Sequence, residues 1–235
     1  MSGRRSLLPV LMALHLAGCG FFAPGLMAGL GSAASAGLNP QSSELSFDDA
    51  RIGDLPAGWK AGATRGTGKP AQWSIEKDPA APSGDQALAV KINDYGRGTF
   101  NLCWTDELHF SNGLVEVKVR ARQGSIDQGG GPIWRVKDSN NYYIARWNPL
   151  EDNFRLYYVK AGRRVQLGSA DVSVARNQWQ TITIQHQGNR ITGYLNGEKL
   201  LDVSDSTFPE AGGVGLWTKA DAASSFDDLK VQKQP

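Results

Sequence analysis

From Ser43 onward the chain is divided into short runs in which apolar and polar residues alternate, and this period of two limits the fold more than any other feature. The run GLVEVKVRAR, Gly113 to Arg122, is the clearest case. Val115, Val117, Val119 and Ala121 face one way; Glu116, Lys118, Arg120 and Arg122 face the other. A strand keeps these two sets apart, whereas a helix would scatter both around its circumference. Runs such as ELSFDD, AQWSIE, ALAVKI, YYIARWN, NFRLYYVK, QTITIQHQ and GVGLWTK follow at short intervals. Turn-forming residues separate them at Ser111-Asn112-Gly113, Ser139-Asn140, Ala161-Gly162, Gly188-Asn189 and Asn196-Gly197. No long helical pattern and no internal repeat interrupts the series. About fourteen such strands predict an all-β fold, a two-sheet antiparallel β-sandwich.

Composition narrows the function classes. The 235 residues carry a formal net charge of only +2 and no long basic run, which argues against nucleic acid as a partner. Two cysteines, Cys19 and Cys103, are too few for a disulfide framework or a cysteine-rich metal site. Cys103 reads as a small buried residue. The N-terminus reads as an export signal: Arg4 and Arg5 precede a stretch, Ser6 to Ser43, without Asp, Glu, Lys or Arg. Residues 1–36 are assigned to that signal, 37–43 to a linker and 44–235 to the sandwich domain. Two processing sites compete. LAGC, Leu16 to Cys19, has the form of a bacterial lipobox and makes Cys19 the lipidated N-terminus; ASA, Ala34 to Ala36, is an ordinary cleavage site. Pro24 and the glycines from Gly18 to Gly31 break the apolar run, so a lipid on Cys19 is the only membrane attachment expected.

Three segments carry a resemblance to a known family: NNYYIARWNPLEDNFRLYYVKAGRRVQL, NQWQTITIQHQGNRITGYLNGEKLLDVSDSTF and GGVGLWTKADAASSFDDLKV. They resemble bacterial concanavalin A-like lectin/glucanase domains, and most closely the 3-keto-disaccharide hydrolase-like group. The resemblance spans about Phe47 to Val231. It implies a jelly roll, a carbohydrate partner, and one concave sheet whose outer face is the ligand groove. The fold hosts lectins, glucanases, lyases and adhesion modules alike, so it does not itself name a function.

The stretch GPIWRVKDSNNYYIARWNPLED, Gly131 to Asp152, supplies the face of such a groove. With Ser139-Asn140 as a two-residue loop, Arg135 opposes Ile144 and Ile133 opposes Arg146. Trp134, Val136, Tyr143, Ala145 and Trp147 then face the core. Arg135, Lys137, Tyr142, Ile144 and Arg146 face out. The same construction about Ala161-Gly162 puts Phe154, Leu156, Tyr158, Val165 and Leu167 inside and Arg155, Tyr157, Arg164 and Gln166 outside. With Gly113–Arg122 alongside, the ligand-binding face is predicted to hold Arg120, Arg135, Tyr142, Arg146, Arg155 and Tyr157. Tyrosine rings stack on sugar C–H faces, and guanidinium forks bind hydroxyls or carboxylates, so an acidic or oxidised glycan suits this face.

Residues for chemistry are sparse. The glucanases of this fold carry a Glu-x-Asp-x-Glu triplet on one strand, its carboxylates about 5 Å apart for retention. The only Glu-x-Asp here is Glu76-Lys77-Asp78, followed by Pro79, Ala80 and Pro82, which end a strand. Asp127 in IDQGGG and Glu151 and Asp152 in NPLEDN are the remaining candidates, as acid/base groups or calcium ligands at the groove rim. Gly129 to Gly131 either lets backbone approach a ligand or serves a bulge. His186 continues the Ile182/Ile184 face and reads as a hydrogen-bonded core histidine. SFDD occurs twice, at Ser46–Asp49 and Ser225–Asp228. Pairing of the first and last strands would bury Phe47 and Phe226 and gather Asp48, Asp49, Asp227 and Asp228, a set that calcium could bridge; no other cofactor is expected. The leading reading is an exported, monomeric carbohydrate-binding domain. The alternatives are a hydrolase or hydratase of 3-keto-glycosides and a non-catalytic interaction domain. Mass spectrometry of the mature protein is expected to find a lipidated Cys19; an unmodified N-terminus at Gly37 instead assigns cleavage to Ala36.

Overall fold

The structure, a computed structural model, describes residues 42–66, 71–91, 96 and 98–234, within a compact unit spanning Asn39–Pro235. The stretch read as an export signal, Cys19 included, lies outside the described residues. In chain order the strands are β1 (Ser42–Leu45), β2 (Trp59–Ala63), β3 (Trp73–Lys77), β4 (Gln86–Val90), β5 (Phe100–Phe110), β6 (Gly113–Gln123), β7 (Gly131–Asp138) and β8 (Asn141–Asn148). They continue as β9 (Asn153–Lys160), β10 (Arg163–Asp171), β11 (Trp179–Gln187), β12 (Arg190–Leu195), β13 (Glu198–Ser204), β14 (Gly212–Lys219) and β15 (Ala223–Lys233). Two antiparallel sheets result. The first runs β13-β12-β11-β6-β15-β4-β3, with β1 added to β15; the second runs β10-β9-β8-β7-β14-β5-β2.

The core between the sheets is the apolar half of each alternation. Val115, Val117 and Val119 of β6 meet Trp134, Tyr143 and Trp147 of the opposite sheet, all buried. Trp134 stacks on Tyr143 with ring centroids 5.5 Å apart and donates Nε1–H to His186 Nδ1 at 2.9 Å. Burial, reinforced by the positive charge of Arg135, pushes the His186 pKa down to about 3. The ring therefore stays neutral at physiological pH and can accept that bond. Cys103 is buried in the same core, as expected of a small apolar side chain, and burial raises its pKa.

The terminal strands pair as the sequence indicated: Ser42 to Leu45 align with Gln232 to Leu229, so Ser42 and Ser43 are strand rather than linker. Phe47 and Phe226 both enter the core. Their aspartates do not gather. Asp227 accepts the amide and hydroxyl of Ser83 at 3.2 and 3.3 Å. Asp228 accepts from Ser83 Oγ and Lys118 Nζ, each at 2.7 Å, while Asp48 receives the Asp85 amide at 3.2 Å and Asp49 is exposed. A bulge between Asp227 and Lys230 interrupts β15 at mid-strand, and Asp228 sits there at φ 48°. Among the described residues no three His, Cys, Asp or Glu side chains are grouped to hold a metal ion.

Two expectations about the groove face are corrected. β6 lies in the first sheet between β11 and β15, whereas β7 pairs with β8 and β14. Arg120 therefore belongs to the outer face of the other sheet, where it pairs with Asp78 and lies 5.2 Å from the Trp179 ring. The β7–β8 hairpin keeps Asp138 opposite Asn141, but Trp134 opposes Tyr143 and Ile133 opposes Ile144. The register is thus two residues from the regular one. Trp134 keeps its inward face because a shift of two preserves side, and a bulge takes up the surplus. Arg135 occupies that bulge at φ 47°. It turns to the end of the sandwich and donates to Ser111 O (2.9 and 2.6 Å), Phe208 O (2.6 Å) and Gly188 O (3.3 Å), joining three loops.

The second sheet is strongly curled. The guanidinium of Arg164 on its edge strand β10 lies 4.9 Å from the Phe100 ring on β5 and 6.0 Å from Trp217 on β14. Those strands stand five and four positions away, about 24 and 19 Å across a flat sheet. At the other edge, Thr64 just after β2 shares a 2.6 Å hydrogen bond with the Tyr142 hydroxyl of β8. Arg65 Nε donates to Gly162 O in the β9–β10 turn at 3.1 Å. The two edges therefore approach one another over a second apolar cluster of Leu102, Ile133, Tyr142, Ile144, Tyr157 and Trp217. Much of the outer face predicted to be open is consequently closed.

Denaturant unfolding separates the two neighbours in β7 from the sequence expectation. Trp134→Ala is expected to cost roughly 3–5 kcal/mol through the cavity it leaves. Arg135→Ala, which an open face would tolerate, is expected to cost about 3 kcal/mol because the buried Phe208 carbonyl and the part-buried Ser111 carbonyl lose their charged donor. An unchanged midpoint for Arg135→Ala contradicts the loop-joining role.

Candidate functional site

At one end of the curled face, charged side chains from five places converge. Asp127, in the loop between β6 and β7, is 1% exposed in its side chain, as is Arg146 of β8. Asp127 Oδ2 pairs with Lys219 Nζ at the end of β14 at 2.7 Å, and Oδ1 accepts from Asn148 Nδ2 at 3.0 Å. Arg146 Nη2 stands 3.7 Å from Asp127 Oδ1 and 3.0 Å from Glu151 Oε1, with Nη1 3.4 Å from the Tyr157 hydroxyl. Glu151, in the β8–β9 turn, receives Arg155 Nη1 of β9 at 2.8 Å. The cluster grades outward, since Glu151 and Arg155 keep 38% and 29% of their side-chain surface exposed.

Local structure fixes these groups. Asp221, in the turn between β14 and β15, accepts the amides of Ser125 (2.7 Å), Ile126 (3.0 Å) and Asp127 (2.9 Å) and the Ser125 hydroxyl (3.0 Å). Burial alone would raise its pKa, but those donors outweigh it and hold the carboxyl below its ordinary value. The loop is thereby wrapped around a charge and presents Asp127 inward. Asn148 does the same for the next turn, its Oδ1 accepting the amides of Leu150 (2.8 Å) and Glu151 (3.3 Å). Glu151 is held below the usual carboxylate range: burial opposes this, and Arg146, Asn153 and Arg155 prevail.

The glycine run serves the fold. A Cβ on Gly129, Gly130 or Gly131 would stand 2.2 to 2.3 Å from the carbonyl oxygens of Trp147, Trp217 and Ala145. The close approach is therefore to neighbouring strands rather than to a ligand.

The structure thus brings together Asp127, Glu151, Arg146, Arg155 and Tyr157 of the sequence-predicted residues. Asp152 stays apart, at φ 48° in the exposed turn, its carbonyl accepting from Val172 N. Tyr142 is sealed beneath Thr64, and Arg120 and Arg135 are elsewhere as described. Sequence reading missed Lys219, Asn148 and Arg164 as site residues. Alternation places Arg164 on the correct face, but nothing local in the chain carries an edge strand across to β14. Glu76 and Asp78, the lone Glu-x-Asp, pair with Arg122 and Arg120 on the first sheet's outer face. They face away from this cluster and are neutralised there.

Four cations, Arg146, Arg155, Arg164 and Lys219, meet two carboxylates. The arrangement offers many donors at fixed positions and two ionised acceptors, a combination suited to binding hydroxyl-rich or anionic groups. The excess of cations around Asp127 and Glu151 works against a second positive ion between them.

A two-sheet antiparallel sandwich with one curled sheet and a polar cluster on it places the protein in the concanavalin A-like jelly-roll class. The chain belongs to the 3-keto-alpha-glucoside-1,2-lyase-like domain family, whose model matches residues 43–232. No curated relative matches it. Among solved structures it is similar to the carbohydrate-binding module CBM66 from Bacillus subtilis, with a TM-score of 0.58 and 19% identity over 74% of this chain and 94% of that one. Domain 4 of AbnA, an extracellular GH43 arabinanase from Geobacillus stearothermophilus in complex with arabinotriose, gives 0.54 and 15% identity over 81% and 90%. A Bacillus licheniformis beta-glucanase gives 0.55 and 12% over 83% and 98%. At these identities the likeness is one of fold.

Asp221→Ala leaves three backbone N–H groups without their acceptor. It is expected to destabilise the protein by about 2 kcal/mol and to speed hydrogen exchange selectively at Ser125, Ile126 and Asp127. Unchanged exchange at those amides contradicts the wrapped-loop account.

Proposed function

We propose that the chain is an exported carbohydrate-recognising domain whose sugar seat is the Asp127/Arg146/Glu151/Arg155/Lys219 cluster at the open end of the curled sheet. The observation that carries this reading is the convergence itself: five charged side chains from separate strands and turns are fixed side by side, grading from sealed to exposed. Such an arrangement does little for stability, because buried ion pairs lose much of their attraction to desolvation. It does provide what sugar hydroxyls require, namely forked donors and ionised acceptors held without rearrangement. Export and a glycan partner are supported by the charge-free N-terminal stretch and by neighbours of this fold whose names record carbohydrate binding and extracellular function.

A second reading has its own support, the family membership together with the Asp127–Lys219 pair. In a 3-keto-α-glucoside the ketone acidifies the proton on C2. Asp127 would take that proton, and Lys219 or Arg146 would hold the enolate oxygen. The C1–O bond then breaks as C1=C2 forms, and the departing oxygen takes up the proton that Asp127 removed, which returns the carboxylate to its starting form. The product is a conjugated enone with ultraviolet absorbance.

One experiment tests both. Calorimetric titration with a panel of neutral and oxidised disaccharides is expected to show binding that Arg155→Ala weakens about tenfold, with stability changed by less than about 1 kcal/mol at that partly exposed site. Incubation with a methyl 3-keto-α-glucoside distinguishes the readings. Enone formation abolished by Asp127→Asn establishes the lyase, and binding without enone leaves a recognition domain. Absence of both removes the cluster as a sugar seat.

A further inference from the structure

Arg164 differs from the other cations of the cluster. Arg146, Arg155 and Lys219 each have a carboxylate within ion-pair distance, whereas Arg164 has none among the described residues. Its guanidinium carbon instead lies 4.4 Å from the Tyr157 ring centroid, 4.9 Å from Phe100 and 6.0 Å from Trp217. Its Nη1 is shut off from solvent without a hydrogen-bond partner, and so is Nε of neighbouring Arg146. Contact with aromatic faces recovers part of the cost of shielding a cation, whereas a shielded donor without an acceptor leaves its own part unrecovered. Arg164 thus lacks, among the described residues, the carboxylate that a charge so shielded ordinarily has.

The same geometry bears on what completes it. Tyr157 and Trp217 are buried and Phe100 is half-buried, so a neutral sugar finds little ring face on which to stack. Arg164 is itself half-buried, and an anionic ligand meets its guanidinium through the nitrogens other than the shielded Nη1. A carboxylate has the planar pair of oxygens that a guanidinium fork accepts in two parallel bonds, whereas a water molecule offers a single neutral acceptor. Burial, and then the positive charge of Arg146, make Arg164 hold its proton less firmly than an ordinary arginine. A bound anion relieves both effects.

We infer that Arg164, laid over Phe100, Tyr157 and Trp217 beside Arg146, is the seat for the carboxylate of an acidic sugar, so that the domain selects uronate-bearing glycans over neutral ones. This rests on the cluster being a sugar site.

The test uses matched pairs that differ only at C6: cellobiose with cellobiouronic acid, and maltose with its C6-oxidised counterpart, titrated into the full chain at low and high salt. At least one acid is expected to bind about tenfold more tightly than its neutral partner, with the advantage shrinking as salt rises. Arg164→Gln is expected to bring the two within about threefold, and Arg164→Lys to retain part of the difference by keeping the charge without the fork. Thermal unfolding of both variants confirms that they fold, and the lysine variant keeps the test decisive where the glutamine variant does not. Equal binding of acid and neutral sugar, or an acid preference that survives Arg164→Gln, overturns the carboxylate seat and leaves the sugar site standing. Preference for a 6-sulfated disaccharide with indifference to the uronate also overturns it. If no sugar binds and free D-glucuronate leaves the melting temperature unchanged, the sugar site falls and the seat with it.

Discussion

The curl of the second sheet governs everything that follows from it. A flat seven-stranded sheet would leave its outer face to solvent, and Tyr142, Ile144, Tyr157 and Trp217 would be an exposed apolar surface. Curled until β10 side chains reach β14 and β5, and pinned at the far edge by the Thr64–Tyr142 and Arg65–Gly162 bonds, the sheet buries that surface against itself. Strand twist and bulges supply the curvature, and the bulge at Arg135 in β7 is one of them. The curl also brings Arg164 of the edge strand over Trp217 of β14, and so gathers it with Lys219 and with Arg146 and Arg155 of the adjacent strands β8 and β9.

The two outer faces treat charge in opposite ways. On the first sheet each cation of β6 has its own acid: Lys118 with Asp228, Arg120 with Asp78, Arg122 with Glu76. The three cations are matched one to one by carboxylates there, although Arg120 Nε and Arg122 Nε are also shielded without a partner. The curled sheet concentrates cations, leaves two of them in excess, and shields some of their nitrogens from water. Ion pairing of this kind contributes little net stability, and the imbalance fits the sugar site proposed above. Asp221 and Asn148, which hold the loops bearing Asp127 and Glu151, show that backbone geometry has been fixed around the same point.

Residue by residue, the legible part of the chain was the alternation. It placed Trp134, Tyr143, Ala145, Trp147, Phe154 and Leu156 in the core and Tyr142, Arg146, Arg155 and Tyr157 on the opposite face, and all of them lie so. It also indicated that the first and last strands pair around Phe47 and Phe226. It failed at Arg135 because a bulge is invisible to period-two counting: a surplus residue costs little locally and is settled by what the neighbouring strand β14 requires. It failed at Arg120 because β6 and β7, adjacent in sequence, belong to different sheets. It judged the aromatic face open because alternation reports side, not cover.

Sequence by itself therefore determined the strands, their turns, the two faces of each strand away from the bulge in β7, and the family. Those depend on contacts between near neighbours and on the pattern of side chains along one chain. Tertiary structure alone decided which strands pair across the sheet, how far the sheet curls, and which cations face the same acid. Arg164 shows the difference. Its side of β10 follows from counting two residues past Ala161-Gly162, but its place over Phe100, Tyr157 and Trp217 follows only from curvature accumulated over five strands, and no local segment encodes that sum.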